Sequence, residues 1–428
     1  MKRTLKFLTL LFFVILAIPL FTACGKTPPP NNEDGGSNPP PATPAGLTYD
    51  FITEDEGGYY ALVSIGDCTD KNIVIESSVF NKELNEHFPV KSILGEAFYQ
   101  CTTVETVTIP NSIELIGNFS FKDCTNLTSI NIPDSVETIG ICAFEYCEKL
   151  TNITIGQSVR KIESSAFSNC TGLKTLTITS PTVSIEYGAF SGCSNLETIV
   201  GCEAITTIPE YAFCGCNKLQ SFTFNNSITT IGNHAFSGCT TLESIEIPNS
   251  VNTIEVNAFY DCFELKYVSL GNSIKNIASN AFNYSDIFDY VGEWENNVYY
   301  LDNCLITANE DTSGVVTIKE GTKCIANNAF LYCSNKITEV IIPDSVKYIG
   351  EGAFLDCSEL TNVEIGSGVI YIGEKAFKDC DKLETVVFEI TETWKVNNVD
   401  IDKGSLSNSE SAADQLLILN ADHAWKRV

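Results

Sequence analysis

A phenylalanine recurs every 23 residues through most of the chain. Nine copies keep this spacing without a break and three more resume it after one insertion: Phe98, Phe121, Phe144, Phe167, Phe190, Phe213, Phe236, Phe259, Phe282, Phe330, Phe354 and Phe377. A cysteine lies three positions after nearly every one: Cys101, Cys124, Cys147, Cys170, Cys193, Cys216, Cys239, Cys262, Cys333, Cys357 and Cys380. A fixed period between about 20 and 50 residues predicts a solenoid, in which each repeat buries its apolar face against its neighbours.

The repeat that starts at Leu127 shows what one coil contains. Ile130 and Ile132 alternate with polar residues, which predicts a short strand with both isoleucines facing inward. Pro133 ends this strand because it has no N–H to donate, and Gly140 allows a tight corner. The later apolar positions are spaced irregularly, which predicts a short helical or 3₁₀ turn on the outer side of the coil.

The period also indicates the kind of solenoid. A repeat of 23 residues with a strand and a short helical segment is typical of leucine-rich repeats, whose period lies between about 20 and 29. We therefore predict an α/β-type solenoid: a leucine-rich repeat array of about 12 coils, each a strand plus a short helical or 3₁₀ turn, with β-hairpin caps. One coil cannot close a core alone, so the stacking of successive coils must supply the stability.

The cysteine column is predicted to be a column of buried thiols, because free cysteine behaves as a small, buried hydrophobic residue. Disulfides along the column would have poor geometry, since neighbouring coils present parallel Cβ vectors. Cys304 and Cys324, which lie off the column within the insertion, are the better candidates for a bridge. A metal site is not expected, because there is no Cys/His cluster.

The first residues are typical of a targeting segment. A short basic region is followed by an apolar stretch over 7–20. Phe21-Thr22-Ala23-Cys24-Gly25 then resembles the lipobox of bacterial lipoproteins, and this resemblance implies that Cys24 becomes lipidated after cleavage. An ordinary secretory cleavage site and an uncleaved anchor are the alternatives, although the apolar stretch is short for a membrane-spanning helix.

The predicted organisation follows from these patterns. A Pro-rich segment without apolar residues predicts a flexible tether, and two strand-like segments before the first Ala-Phe pair predict a cap. A second segment of the same plan predicts a hairpin insertion that copies this cap. The predicted regions are a signal peptide over 1–23, a tether over 24–47, an N-terminal β cap over 48–95, repeats over 96–283, the insertion over 284–326, repeats over 327–390 and a C-terminal cap over 391–428.

The repeat resembles the BspA-like class of leucine-rich repeat proteins. Ile132-Pro133-Asp134-Ser135-Val136 and Ile342-Pro343-Asp344-Ser345-Val346 match its motif, as do the Ala-Phe and Cys columns. The resemblance implies a bacterial surface or secreted protein, and several members of the class are adhesins toward host matrix proteins or other microbes. The chain departs from the motif at 156, 180–181 and 202, where the Ile-Pro pair is replaced, and these coils are expected to turn differently.

The charge restricts the partners. The formal net charge is −28, and removal of residues 1–23 would make the chain more acidic still. Such a chain is not expected to bind nucleic acid or anionic lipid by charge. We expect protein or glycan partners, membrane contact only through the lipid anchor, and a monomer; high acidity also favours solubility without any partner.

The sequence contains no enzyme motif: there is no GxSxG, HExxH, P-loop or dinucleotide-binding glycine pattern. Its three histidines, His87, His234 and His423, are scattered. We therefore predict a non-catalytic protein without a cofactor.

The outward positions of the predicted strands are the candidate binding surface. In the first half they carry mainly Thr, Ser and Asn, residues that also simply suit an exposed strand. Toward the C-terminal half they become charged, aromatic and apolar, and the nearby insertion adds aromatic residues that are typical interface anchors when exposed. The predicted ligand-binding residues are Glu246, Tyr267, Trp294, Tyr299, Tyr300, Glu339, Ile341 and Glu364.

These observations favour a lipid-anchored surface protein of the cell surface or outer membrane that binds protein or glycan ligands as an adhesin or interaction module. A structural envelope scaffold without an external ligand and a glycan-binding accessory protein are the alternatives.

Overall fold

The structure is a computed structural model that describes residues 46–53, 59–66, 68–278, 280–290, 292–389, 394–397, 399–401, 403–420 and 423–427. The N-terminal strands are β1 (Thr48–Thr53), β2 (Tyr59–Ser64), β3 (Asn72–Val74), β4 (Ser78–Asn81) and β5 (Glu86–Ile93). The first repeats contain β6 (Thr106–Thr108), β7 (Leu115–Ile116), β8 (Ser129–Ile130), β9 (Thr138–Ile139), β10 (Asn152–Ile155), β11 (Lys161–Ile162), β12 (Thr175–Ile178), β13 (Ser184–Ile185), β14 (Thr198–Val200), a 3₁₀ helix (Cys202–Ala204), β15 (Thr230–Ile231), β16 (Ser244–Glu246), β17 (Thr253–Ile254), β18 (Tyr267–Ser269) and β19 (Asn276–Ile277). Then come α1 (Ile287–Tyr290), β20 (Glu293–Glu295), β21 (Val298–Leu301), β22 (Cys304–Ala308), β23 (Gly314–Thr317), β24 (Cys324–Ile325), β25 (Ile337–Ile342), β26 (Tyr348–Ile349), β27 (Asn362–Ile365), β28 (Tyr371–Ile372) and β29 (Thr385–Phe388). The chain ends with β30 (Trp394–Val396), β31 (Val399–Asp400), α2 (Lys403–Leu406), α3 (Ser409–Asn420) and β32 (Trp425–Arg427).

Each coil contributes to three faces of a parallel β-solenoid of about 13 turns. The long-strand face comprises β3, β6, β8, β10, β12, β14, β16, β18, β23, β25, β27 and β29. The short-strand face is formed for most coils by two-residue strands, such as β7, β9, β11 and β13. The turn face carries the Ala-Phe pairs. Each strand pairs with the strand one repeat later in the chain, as in the pairing of Ile153 with Leu176, so equivalent residues of successive coils stack directly.

The phenylalanine column forms a continuous stack inside the solenoid. Neighbouring rings from Phe98 to Phe282 lie nearly parallel, with centroids between 4.8 Å and 5.5 Å apart. The stack resumes from Phe330 to Phe377 with centroid distances of 4.8 Å and 5.0 Å. All twelve rings lie in the core. The solenoid predicted from the 23-residue period is confirmed.

The cysteine column was predicted to consist of buried thiols, and its members are buried free thiols except for Cys101, which is partly exposed. Most of these thiols also have a defined partner, because they donate to the carbonyl oxygen of the phenylalanine one coil earlier; Cys333 instead donates to Phe330 O of its own coil at 3.5 Å. Cys124 Sγ lies 3.0 Å from Phe98 O, and Cys170 Sγ lies 3.1 Å from Phe144 O. The same carbonyl accepts the backbone N–H of the cysteine in its own coil, as from Cys147 to Phe144 at 3.1 Å. The thiols therefore link adjacent coils.

The outer segment of each coil differs from the predicted helical or 3₁₀ turn. It is a run of hydrogen-bonded turns in which two residues four positions apart adopt left-handed conformations, as at Cys142 (φ 51°) and Tyr146 (φ 59°). The N–H groups of Cys142, Phe144 and Tyr146 then donate to carbonyls of the next coil at 2.7–2.9 Å. A continuous helix would satisfy these N–H groups within its own coil. On the turn face, these backbone N–H groups therefore form hydrogen bonds between coils in place of hydrogen bonds within one coil.

The coils that depart from the repeat motif do turn differently at two places. At Cys202, the chain forms the 3₁₀ helix Cys202–Ala204 after a left-handed Gly201 (φ 80°). At Ser180, the buried hydroxyl donates to Val159 O at 2.7 Å. At Gly156, the reason for glycine is close approach: a Cβ would lie 2.8 Å from Pro133 O.

The hairpin of β21 and β22, here named the partition hairpin, divides the interior into two cores. Its residues are buried on both faces. Tyr299, Leu301, Cys304 and Ile306 belong to the core of the preceding repeats, whereas Val298, Tyr300, Leu305 and Ala308 belong to the core of the following repeats. β21 pairs antiparallel with β22, and β22 then pairs parallel with β24, so the hairpin enters the short-strand sheet. The N-terminal strands β1, β2 and β5 have the same pairing plan.

The C-terminal segment closes the second core with aromatic residues. β32 pairs antiparallel with β28 and β30, and the indole rings of Trp394 and Trp425 are buried with centroids 6.2 Å apart. Ala412, Ala413 and Leu416 of α3 pack into the same core.

Candidate binding surface

The long-strand face positions two predicted residues beside each other. Because β16 and β18 are adjacent parallel strands, Ser244 pairs with Tyr267 and Glu246 pairs with Ser269. Glu246 and Tyr267 therefore project outward from neighbouring coils, and 58% of the Tyr267 side chain is exposed. The isoleucine between Ser244 and Glu246 points into the core, as period-two alternation requires.

A groove of about 980 Å³ lies next to these residues. Glu246 lines it together with the hydroxyl residues Ser221, Thr223, Ser244 and Ser269. We name it the Glu246 groove. It offers a carboxylate and several hydroxyls above an apolar floor, which suits recognition of polar or basic groups.

The groove exists because the parallel ladder of the long-strand face is interrupted. β14 ends one sheet, β16 begins the next, and residues 221–225 belong to no strand. Phe222 and Phe224 occupy the two inward positions that most other coils fill with Ile, Leu or Val. Their rings pack at 5.0 Å from each other and at 5.1 Å and 5.8 Å from the Phe236 ring, so extra aromatic bulk fills the core beside the groove. The pair Phe222 and Phe224 was the signal for the groove in the sequence.

Glu339, Ile341 and Glu364 form a second group on the same face, beyond the partition hairpin. Glu339 pairs with Asn362 and Ile341 pairs with Glu364 across β25 and β27. The structure therefore brings these three residues together, but in a sheet separate from that of Glu246 and Tyr267.

The predicted exposure of Tyr299 and Tyr300 is wrong. Their exposed fractions are 0% and 4%, because the partition hairpin has a core on each side. The Tyr299 hydroxyl donates to Ile287 O at 2.8 Å, and the Tyr300 hydroxyl accepts the Lys319 N–H at 3.2 Å. The continuous apolar run Val298-Tyr299-Tyr300-Leu301 is typical of a strand buried on both faces and could have indicated this.

Trp294 is exposed at 46%, but it lies on β20, at the edge of the sheet that contains the short-strand face. Its indole N–H donates to Phe288 O at 3.1 Å, and its ring lies 5.2 Å from that of Tyr299. It therefore does not extend the surface around Glu246.

Cys304 and Cys324 are adjacent in β22 and β24 and are buried free thiols without a bridge between them. Within the described ranges, no group of three or more His, Cys, Asp or Glu side chains lies close enough together to hold a metal ion. Cys24, the predicted lipidation site, lies outside the described residues.

The short-strand face is also interrupted, between β19 and β24. A pocket of about 340 Å³, the Tyr371 pocket, opens there and is lined by Lys275, Asn276, Tyr348, Glu351, Tyr371 and Glu374 among others. Burial, and then the negative charges of Glu374 and Glu351, raise the pKa of the Tyr371 hydroxyl above its ordinary value. This pocket lies outside the long strands whose outward residues were predicted to bind, although the recurrence of Tyr348 and Tyr371 23 residues apart was a signal for it.

The stacked coils, the phenylalanine column and the exposed strand faces define a leucine-rich repeat solenoid. The chain belongs to the BspA type leucine-rich repeat family, whose family model matches residues 91–220, 206–310 and 308–399. No curated protein sequence matches the chain.

Solved structures of three bacterial proteins are similar to the chain. A leucine-rich repeat protein from Bacteroides ovatus is 24% identical over 80% of this chain and 92% of its own, with a TM-score of 0.42. A leucine rich cell surface protein from Faecalibacterium prausnitzii is 25% identical over 80% of this chain and 93% of its own, with a TM-score of 0.41. A T. pallidum leucine rich repeat protein is 24% identical over 45% of this chain and 87% of its own, with a TM-score of 0.39.

Among the residues that the structure describes, none of the helices has the length and hydrophobicity that a membrane-spanning segment needs.

Proposed function

We propose that the chain is a lipid-anchored, non-catalytic surface protein that binds a protein partner through the Glu246 groove. The observation that supports this most is the groove of about 980 Å³ where the long-strand face is interrupted between β14 and β16, beside an exposed aromatic residue. An unbroken solenoid face of Thr, Ser and Asn would offer no such concave site. Exposed Tyr267 beside the groove is the residue type that anchors protein interfaces.

The partner is a protein segment with basic groups. The chain carries a formal net charge of −28, so basic partners are attracted at long range. At the groove itself, Glu246 provides a carboxylate that an arginine or lysine can pair with, and the surrounding hydroxyls can accept further N–H donors. Host matrix proteins and microbial surface proteins are the classes to test first, with the chain acting as a monomer.

The test is a binding screen of the full chain against matrix and bacterial surface proteins, by biolayer interferometry. For a partner found this way, Glu246→Lys should weaken binding by roughly tenfold, because a carboxylate at the contact becomes a like charge. Glu137→Lys is the matched control, since Glu137 is an exposed glutamate away from the groove. Equal affinities of the two variants would place the site elsewhere, and no saturable binding to any protein would favour the envelope scaffold.

The anchor is proposed from the lipobox-like sequence around Cys24. Metabolic labelling with a fatty-acid analogue should mark the wild-type chain and not the Cys24→Ser variant, and this variant should leave the membrane fraction. Labelling that survives the substitution would refute the assignment.

A further inference from the structure

The Tyr371 pocket lies where the short-strand face is interrupted, on a different face from the Glu246 groove. β19 ends one sheet and β24 lies in the next, and the isolated bridge between Ala278 and Asn327 crosses the interruption. The register partner of Tyr348 in β24 is the small, buried residue Cys324, whereas β26 and β28 carry tyrosines at this position. This difference in size leaves room between Asn276 and Tyr348.

Two tyrosines form one side of the pocket. Tyr348 and Tyr371 are register partners in adjacent parallel strands, so their Cα atoms lie about 4.8 Å apart. Both are partly buried, and Tyr348 also packs against the core of the preceding repeats, which fixes its position. Both tyrosines line the pocket, so this side of it is aromatic.

The other side of the pocket is polar. Glu351 and Glu374 come from adjacent coils and can accept hydrogen bonds, while Lys275 can donate them. Asn276 Oδ1 is buried, and no described residue donates a hydrogen bond to it. A buried acceptor without a partner is costly, so a rotation of the Asn276 amide that brings Oδ1 to a ligand hydroxyl in the pocket would be favourable.

We propose that this pocket binds a neutral saccharide of one or two hexose-type rings. The C–H face of a sugar ring would pack on Tyr348 and Tyr371, and its hydroxyls would bond to Glu351, Glu374 and Asn276. The volume of about 340 Å³ is at the lower end of the range of about 300–1,000 Å³ for small-molecule sites, which fits a terminal or single sugar rather than a long chain.

The charges in and around the pocket favour a neutral ligand over a cationic one. Lys275 lines the pocket, and Lys375 Nζ lies 3.9 Å from Glu351 Oε1. An amine would have to approach these two ammonium groups to reach the carboxylates. A polyol can use donors and acceptors of both kinds at once.

The test is a titration of the full chain with neutral mono- and disaccharides, hexoses and N-acetylhexosamines, by saturation-transfer-difference NMR and calorimetry. We expect one of them to bind with millimolar affinity. Tyr371→Ala should weaken it by roughly tenfold or more, while Tyr371→Phe should retain it because the aromatic face remains. Tyr187→Ala is the matched control, since it removes an exposed tyrosine that does not line the pocket and should leave the affinity unchanged.

The proposal does not depend on the Glu246 groove, so its failure and that of the proposed function can be told apart. Glu374→Gln provides a second variant that leaves the tyrosines in place, and thermal unfolding verifies that each variant is folded. The proposal is overturned if no saccharide binds, if Tyr371→Ala binds as the wild type does, or if alkylammonium compounds bind and sugars do not.

Discussion

At the scale of single residues, the repeated cysteine has a defined task. Its thiol is buried and donates to a phenylalanine carbonyl one coil away, at 3.1 Å for Cys193 and Phe167. Alanine would fill less volume and leave this bond unmade, while a larger residue would overpack the fully buried site. The constant Phe-to-Cys offset thus reflects a bond between coils that recurs along the array.

The buried thiols predict loss of stability at alkaline pH. Burial raises the pKa of Cys193 from its ordinary value near 9.0 to about 12, and raises that of Cys170 as well. A raised folded-state pKa means that the folded chain keeps its thiol protons above pH 9 while the unfolded chain loses them. The stability is therefore fully present below about pH 9, and each thiol removes up to about 1.4 kcal/mol per pH unit above it.

Urea unfolding between about pH 8 and pH 10, under reducing conditions, measures this dependence. The urea midpoint should fall steeply above the ordinary thiol pKa. The Cys193→Ala variant should be less stable at neutral pH. Its urea midpoint should fall less steeply with pH, because it lacks the contribution of one buried thiol. A midpoint that stays constant across this range would contradict the prediction.

At the scale of the elements, the turn face is built from conformations that side chains disfavour. Residues such as Asp356 (φ 60°) and Lys375 (φ 55°) adopt left-handed backbone angles along the turn face. This conformation lets the Asp356 N–H donate to Lys378 O of the next coil at 2.8 Å. In some coils glycine occupies the same column, as at Gly192 and Gly215. Glycine and the larger residues adopt the same left-handed conformation in this column, but only the larger residues do so at a steric cost.

This column predicts a stabilising substitution. Asp356→Gly should raise the free energy of unfolding by up to about 1 kcal/mol, because glycine adopts the left-handed conformation without steric cost. Asp356→Val should lower it by about 1–2 kcal/mol, since a β-branched residue is disfavoured there. Thermal unfolding of both variants gives the comparison, and the same melting temperature for both would show that the angle carries no strain.

The elements also differ in how well they could be predicted from the sequence. The period predicted the solenoid, the inward residues and the buried thiols, because each follows from repetition of one pattern. The turn face could not be predicted, since its bonds join residues about 22 positions apart and leave no local helical or strand signal. The Glu246 groove and the burial of Tyr299 depend on local departures, Phe222 with Phe224 and the doubly buried hairpin, whose effect appears only when neighbouring coils are in place.

At the scale of the whole molecule, the partition hairpin separates two cores within one array. In stacked repeats, stability is a sum of terms within coils and between neighbouring coils, so the hairpin is the interface through which the halves are coupled. Leu301 and Leu305 are both fully buried, but they face opposite cores. They therefore allow each half to be perturbed separately.

Leu305→Asp should destabilise the repeats after the hairpin, and Leu301→Asp those before it, because each buries an unpaired carboxylate in one core at a cost of several kcal/mol. Hydrogen exchange followed by mass spectrometry should show lost protection around Phe354 in the first variant and around Phe259 in the second. Loss of protection in the same residues in both variants would mean that the hairpin does not divide the molecule.

The one-repeat register has a consequence for how such genes change. Duplication or deletion of a complete winding leaves every phenylalanine ring facing another, so the array can lengthen or shorten in one event without a mismatch. The doubly covered hairpin cannot be copied so freely, because each copy needs a hydrophobic surface on both sides. Descendants of this gene should therefore differ in winding number on either flank while keeping a single divider.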